Sequence, residues 1–243
     1  MGKIKGIGST AFSVKRVIGA SHVTADNRLR YSAIVDLMQD CEGFQLDSMT
    51  EFREYLRDNK IGMFLTSRQL DIKRLPLYGE ELTVTTSVYE CKTVYGFRNT
   101  NIWGGDGEIR VCTYASGAFV DLETGRPRRM PAEIINAFDM REKFDMEYLP
   151  RRVAVPERGG EFRGEIKVAR YMLDAYNHVN NARYVDLALE YLPRETSVRR
   201  MRIDYRSPAV FGDCVGVWLY RDGDVITADL RGEKGSFAVI EFM

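Results

Sequence analysis

Eight consecutive residues, Asp174-Ala175-Tyr176-Asn177-His178-Val179-Asn180-Asn181, gather a carboxylate, an imidazole and three carboxamides at the point where an extended segment gives way to a helical one. That combination can activate water. An imidazole or carboxylate takes the proton, a carboxamide from Asn177 or Asn180 holds the water, and backbone N–H groups at the helix start polarise a carbonyl with help from the helix dipole. The chain has only two histidines, His22 and His178. Histidine is the side chain whose ordinary pKa lies near neutrality, so His178 is the preferred base, with Asp174 fixing its tautomer or orienting the water. Asp174 as base or nucleophile fits the same residues. Asn180 and Asn181 also suit a cap or a turn. His22, in a strand-like stretch, reads as structural, and Asp36 and Asp186, inside helical segments, read as surface charges or helix pairs.

The elements around this stretch follow from periodicity. Residues 12–24 read as a strand, and Ile34, Leu37, Met38, Cys41 and Phe44 recur at helical spacing behind Ser32, a suitable N-cap. A second, more polar helix covers about 50–60, ahead of a strand over 63–72. Leu82, Val84, Thr86 and Val88 alternate with Thr83, Thr85, Ser87 and Tyr89, the period of a strand buried on one side. Segments 94–103 and 108–120 flank Gly104-Gly105-Asp106-Gly107 as a hairpin. Later, 164–172 reads as a strand and 182–192 as a helix stopped by Pro193 and capped by Asn180 or Asn181. Strands follow at 199–206, 213–220, 224–230 and 236–242, the middle pair turning at Asp222-Gly223.

The plan of strand, helix and antiparallel strands thus occurs twice. Val35-Asp36-Leu37 matches Val185-Asp186-Leu187, and Arg74-Leu75-Pro76 before Gly79-Glu80 matches Arg206-Ser207-Pro208 before Gly212-Asp213. An internal duplication accounts for both. The division is an N-terminal unit over 1–130, a proline- and charge-rich crossover over 131–160 and a C-terminal unit over 161–243, with the two sheets joined edge to edge. The fold class is α+β, each unit an antiparallel sheet wrapped around a central helix. Only the second copy carries the histidine of the cluster.

Composition narrows the classes further. Lys plus Arg and Asp plus Glu are both 35, so no global charge favours nucleic acid or an anionic membrane. Cys41, Cys91, Cys112 and Cys214 are widely spaced, without a zinc pattern, and read as reduced, buried small residues. Lys3 and Lys5 have no apolar run behind them, and no segment has the length of a membrane span, which points to the cytoplasm.

The Asp-x-x-x-His-Val-Asn-Asn-x-x-Tyr pattern formed by Asp174, His178-Val179-Asn180-Asn181 and Tyr184 resembles that of hotdog-fold thioesterases. With Ala182-Arg183, Asp204-Tyr205-Arg206, the Gly125-Arg126-Pro127 turn and the duplicated length, nearly the whole chain is similar to the acyl-acyl-carrier-protein (acyl-ACP) thioesterases of bacteria and plastids. The resemblance implies hydrolysis of fatty acyl-ACP in fatty acid biosynthesis, with Asp174, Asn177 and His178 catalytic and Asn180 and Asn181 supporting. It implies no metal and no cofactor, and acyl carrier protein as the partner. Two hotdog units in one chain remove the need for a homodimer while allowing one. The apolar face with Met38, Cys41, Phe44 and Met49 is then expected to line an acyl pocket. Some of Arg126, Arg128, Arg129, Arg151, Arg152, Arg199, Arg200 and Arg202 are expected to dock the acidic carrier. Tyr176 stands where the family usually has asparagine, and Ser207-Pro208-Ala209 stands where plant members carry glutamate and cysteine. An acyl-CoA thioesterase and a non-hydrolytic acyl-binding or dehydratase-like hotdog protein are the alternatives, the spacing of Asp174 and His178 speaking against a dehydratase.

Overall fold

The structure is a computed structural model that describes residues 8–193 and 196–243; Lys3 and Lys5 lie outside the described residues. Its first half runs β1 (Ala11–Val17), α1 (Tyr31–Ser48), α2 (Thr50–Asp58), β2 (Ile61–Ile72), β3 (Glu81–Cys91), β4 (Tyr95–Gly104) and β5 (Ile109–Asp121). After a short helix, α3 (Ala132–Asn136), the second half runs β6 (Glu161–Lys167), α4 (Asn181–Leu189), β7 (Arg200–Tyr205), β8 (Cys214–Asp222), β9 (Val225–Gly232) and β10 (Gly235–Phe242). The strands form one ten-stranded sheet in the order β1-β3-β4-β5-β2-β7-β10-β9-β8-β6. The halves meet at β2 and β7, paired antiparallel from Ser67 with Asp204 to Asp71 with Arg200, so each half covers an edge the other would leave open. This is the expected double-hotdog arrangement.

α1 forms because Ile34, Val35, Leu37, Met38 and Cys41 fall on one face and are buried in a core shared with β3, β4 and α4. Its start differs from the expectation. Arg30, in extended conformation, is the N-cap without a side-chain cap bond; Ser32 is inside the helix, its buried Oγ without a partner among the described residues. α4 is shorter than its pattern, because the chain turns at Tyr191 and Leu192 before Pro193. His22 belongs not to a strand but to a 3-10 turn, Ala20–His22, where its Nδ1 accepts the Gly19 N–H. Two of the four cysteines, Cys41 and Cys112, are buried as expected; Cys91 is half-buried and Cys214 is exposed.

The duplication is clearest at the helix entrances. The turn Ala20–His22 recurs as Arg170–Met172, the bridge Val23 to Leu29 as Leu173 to Val179, and each loop turns on an asparagine in the left-handed region, Asn27 at φ 61° and Asn177 at φ 60°.

The crossover does not hang free. Residues 144–153 lie across the face of the sheet turned away from α1 and tie the halves together. Asn99 on β4 binds the Phe144 N–H and the Tyr148 hydroxyl, and Gln69 on β2 binds the Glu147 carbonyl and the Leu149 N–H. From β7, Arg200 spans Asp71 and Glu147, while Arg202 donates to the Pro150 and Arg152 carbonyls.

Candidate active site

The chain enters α4 through a loop that Asp174 organises. Its Oδ1 accepts the N–H of Tyr176 at 2.8 Å and of His178 at 3.2 Å, closing an Asx-type turn whose fourth residue is Asn177. The carboxylate therefore fixes the backbone of His178 rather than its imidazole. Oδ2 has no partner among the described residues, and Asp174 lines the cavity. The imidazole packs against Phe64 of β2, ring centroids 6.0 Å apart, and Phe64 also packs against Tyr176 at 5.2 Å. Asn180 is the N-cap of α4, its Oδ1 accepting the Ala182 N–H at 2.9 Å. The Asn181 N–H has no acceptor among the described residues, which makes it the open donor at the positive end of the helix.

Gln39, on α1, was not singled out by sequence. Its Nε2 donates to Asn180 Oδ1 at 3.2 Å, and its Oε1 accepts from Asn181 Nδ2 at 2.9 Å. One carboxamide from the first half thus orients both asparagines of the second. Its only signal in the sequence is a carboxamide among the polar residues that flank the apolar face of this helix. Arg183 adds a second link, forking to Asp36 at 2.5 Å and Asp186 at 2.6 Å, so these aspartates are a helix-bridging pair. Behind the loop, the Tyr184 hydroxyl accepts the Ala209 N–H at 3.0 Å; burial pushes its pKa up to about 12, so it stays protonated.

A cavity of about 930 Å³ opens at this loop and runs beneath α1 into the first half. Asp174, Tyr176, His178, Asn180 and Asn181 line it at this loop; Leu46, Met49, Phe52, Phe119 and Phe138 line it within the first half, with the exposed Gly43 beside them. Asn177 is not among the lining residues. It is exposed, and its left-handed φ makes it the turn residue, matching Asn27 in the other half. The pocket residues expected from the helix are corrected too. Met38 and Cys41 face the sheet, the Cys41 thiol, which burial pushes up to about 11, against the Val84 carbonyl; Phe44 is exposed beneath the Arg16 guanidinium. The cavity face is the adjoining helical row, Gln39, Glu42, Gly43, Leu46 and Met49, so only Met49 of the expected set lines it.

Of the arginines expected at a dock, Arg200 and Arg202 are spent on the crossover, Arg152 pairs with Asp204, Arg128 with Asp121, and Arg151 stacks over Tyr95. Arg126, Arg129 and Arg199 remain exposed, and of these Arg126 adjoins Gly125 of the cavity lining. Among the described residues no cluster of His, Cys, Asp and Glu has the makings of a metal site, and no helix is long and apolar enough to cross a membrane.

Two hotdog units, a loop of Asp, His and Asn at one helix entrance, and a deep, partly apolar cavity define an acyl thioester hydrolase. The sequence matches the profile of the acyl-ACP thioesterase N-terminal domain over residues 11–138 and of the C-terminal domain over residues 157–230. The chain belongs to the acyl-ACP thioesterase family, whose members are thioester hydrolases acting on acyl-ACP. Among solved structures it is similar to an acyl-ACP thioesterase from Bacteroides thetaiotaomicron, at TM-score 0.87 and 18% identity over 96% of this chain and 97% of that one. It is also similar to the 12:0-ACP thioesterase from Umbellularia californica, at TM-score 0.81 and 16% identity over 98% of both chains. At such identity these two likenesses carry the fold. No curated protein matches by sequence.

Proposed function

We propose that the protein releases fatty acids from acyl-ACP in the cytoplasm, as a step that ends fatty acid synthesis, with His178 as the general base. The acyl chain enters beneath α1, and the thioester carbonyl rests at the start of α4, where the Asn181 N–H meets the developing oxyanion. Water lies between the His178 imidazole and the open Oδ2 of Asp174. His178 takes its proton as hydroxide adds to the carbonyl. The tetrahedral intermediate then expels the pantetheine thiolate, which needs no acid to leave, and the proton returns to the thiolate. Asn180, held by Gln39, positions the water. The carrier approaches the mouth near Arg126, and one chain holds a whole site, so a homodimer is not required.

The observation that carries this reading is the joint lining of one cavity by Asp174, His178, Asn180 and Asn181 at a helix N-terminus, with apolar depth behind it. A second mechanism draws on Asp174 Oδ2, which has no protein partner among the described residues and could attack the carbonyl itself. Thiol release from acyl-ACP and acyl-CoA series tests both. Turnover lost in His178→Ala and kept in Asp174→Asn supports histidine as base; the reverse supports Asp174. Preference for CoA over the carrier would transfer the activity to acyl-CoA. Binding without thiol release would leave an acyl-binding protein.

A further inference from the structure

Part-way along the cavity the wall changes character. Arg68 on β2 donates from Nη2 to both carboxylate oxygens of Glu42 on α1, at 2.9 and 2.7 Å, and Thr100 on β4 donates to Glu42 Oε1 at 2.7 Å. Arg68 is only 1% exposed, and its Nε has no acceptor. Arg98 on β4 reaches the same place and donates from Nη2 to Gln45 Oε1 at 3.2 Å, its side chain's one hydrogen bond among the described residues. Two guanidinium groups thus share one carboxylate. The neighbours supply no second anion. Burial raises the Tyr205 hydroxyl and the Cys41 thiol, which keeps both protonated; Asp36 is held by Arg183, and Asp40, though it also lines the cavity, is exposed to solvent and is not among the charges acting on Arg98.

Arg98, Glu42 and Gln45 line the cavity beside Leu46, Val88, Phe97 and Ala115. Arg98 is half-buried, and what it exposes faces this hollow. A guanidinium carries five N–H donors, and only one of these is engaged. An unsubstituted alkyl chain laid past it would strip water from the remaining donors and return nothing, whereas an oxygen on the chain would restore the bond. Gln45 lies six residues beyond Gln39, about 9 Å along the helix axis, so the meeting point falls well past the carbons next to the thioester.

We propose that the cavity selects acyl chains carrying a hydroxyl or keto oxygen in mid-chain, accepted by the free donors of Arg98. The selectivity rests on the thioesterase reading of the site. It applies to the same turnover and adds a requirement on the chain. Gln45 and the Glu42–Arg68 pair hold Arg98 in place, and the apolar depth beyond takes the rest of the chain.

The test compares acyl-ACPs of one medium chain length: unsubstituted, with a keto group next to the thioester, with a mid-chain hydroxyl, and with a hydroxyl at the far end. The mid-chain hydroxyl is expected to lead the unsubstituted chain by about tenfold or more in kcat/KM, the effect of one charge-assisted hydrogen bond. In Arg98→Met, which keeps the length and leaves Glu42 with Arg68, the lead disappears; in Arg98→Lys part of it returns. Equal turnover of the mid-chain hydroxyl and the unsubstituted chain by wild type, a lead for either other substituent, or a lead that persists in Arg98→Met overturns the proposal. Thermal shifts with the matching free acids give the same comparison without turnover. A larger shift for the mid-chain hydroxy acid in wild type alone keeps the proposal even where no acyl-ACP is cleaved, the result that would instead reject the hydrolase reading.

Discussion

Gly43 occupies the middle of α1, where glycine costs about 1 kcal/mol relative to alanine. The sequence accepts that cost at a position whose added Cβ would meet no heavy atom within 4 Å and which lines the cavity. Space for a ligand is the physical reason to keep it. Gly43→Ala is therefore expected to raise stability by about 0.5–1 kcal/mol, a rise of roughly 1–4 °C in Tm for a chain of this size. Gly43→Leu keeps helix propensity and puts a branched side chain across the hollow. An acyl chain that loses the burial of two methylenes forfeits about 1.6 kcal/mol at roughly 0.8 kcal/mol each, or about 15-fold in kcat/KM. The preferred chain should shorten by about two carbons on the same bookkeeping. Rates on a series of acyl-ACPs, with chromatography of the released acids and a melting curve for each variant, measure both effects. Phe44→Leu is the control, since Phe44 faces solvent beneath Arg16 and should leave the profile alone. A folded Gly43→Leu with an unchanged ranking of chain lengths would refute the reasoning, as would a shift in Phe44→Leu of equal size.

His178→Ala should lower kcat by about 10²–10⁴ with little change in Tm, since its ring makes no hydrogen bond to the protein among the described residues; thiol-release kinetics and a melt read the two separately. Gln39→Leu should lower kcat by about 10–100-fold through misplaced asparagines, with KM for the acyl chain changed less, because Gln39 orients Asn180 and Asn181 while the apolar depth is untouched. Glu42→Ala leaves the buried Arg68 without its carboxylate and removes the anion beside the half-buried Arg98, and should cost about 3–5 kcal/mol in denaturant melts. The acid side follows from the same group: burial pushes the Glu42 pKa up, but Arg68, Arg98 and Thr100 outweigh it and hold it below the ordinary glutamate value. Its contribution is thus fully present above the unfolded-state value of about 4.3 and lost as pH falls through the lower folded-state value, so melts of Glu42→Gln should approach those of wild type at acid pH and fall below them at neutrality.

The sequence made the fold legible because each strand and both long helices carry their own period, and because the duplicated plan could be checked against itself. The chemical loop was legible for the same reason, since Asp, His and Asn side chains are rare together. What escaped was direction. Phe44 and Cys41 continue the apolar spacing of α1, yet the helix turns that row to the sheet and to solvent, and the cavity takes the row with Gln39 and Gly43. Asn177 looked catalytic by type, but a backbone in the left-handed region wants asparagine for its own sake. Basic clusters counted along the chain gave no hint that Arg200 and Arg202 are ties for the crossover.

The comparison of the two helix entrances explains why one chain keeps both copies. The first loop has the same turn and the same left-handed asparagine, but Thr24, Arg28 and Arg30 occupy the places of Asp174, His178 and Asn180, so it retains the shape and not the acid–base groups. Freed from chemistry, that half carries the longer helix, eighteen residues in α1 against nine in α4. The additional turns carry Gly43, Leu46 and Met49 past the Asp174–Asn181 loop and along the cavity. The division is coupled rather than complete, because Gln39, on the same helix, is the group that holds Asn180 and Asn181. Under the proposed mechanism a chain that fills the cavity and presses on α1 acts on the residue that holds Asn180 and Asn181, so rate as well as binding is expected to follow how the acyl chain fits.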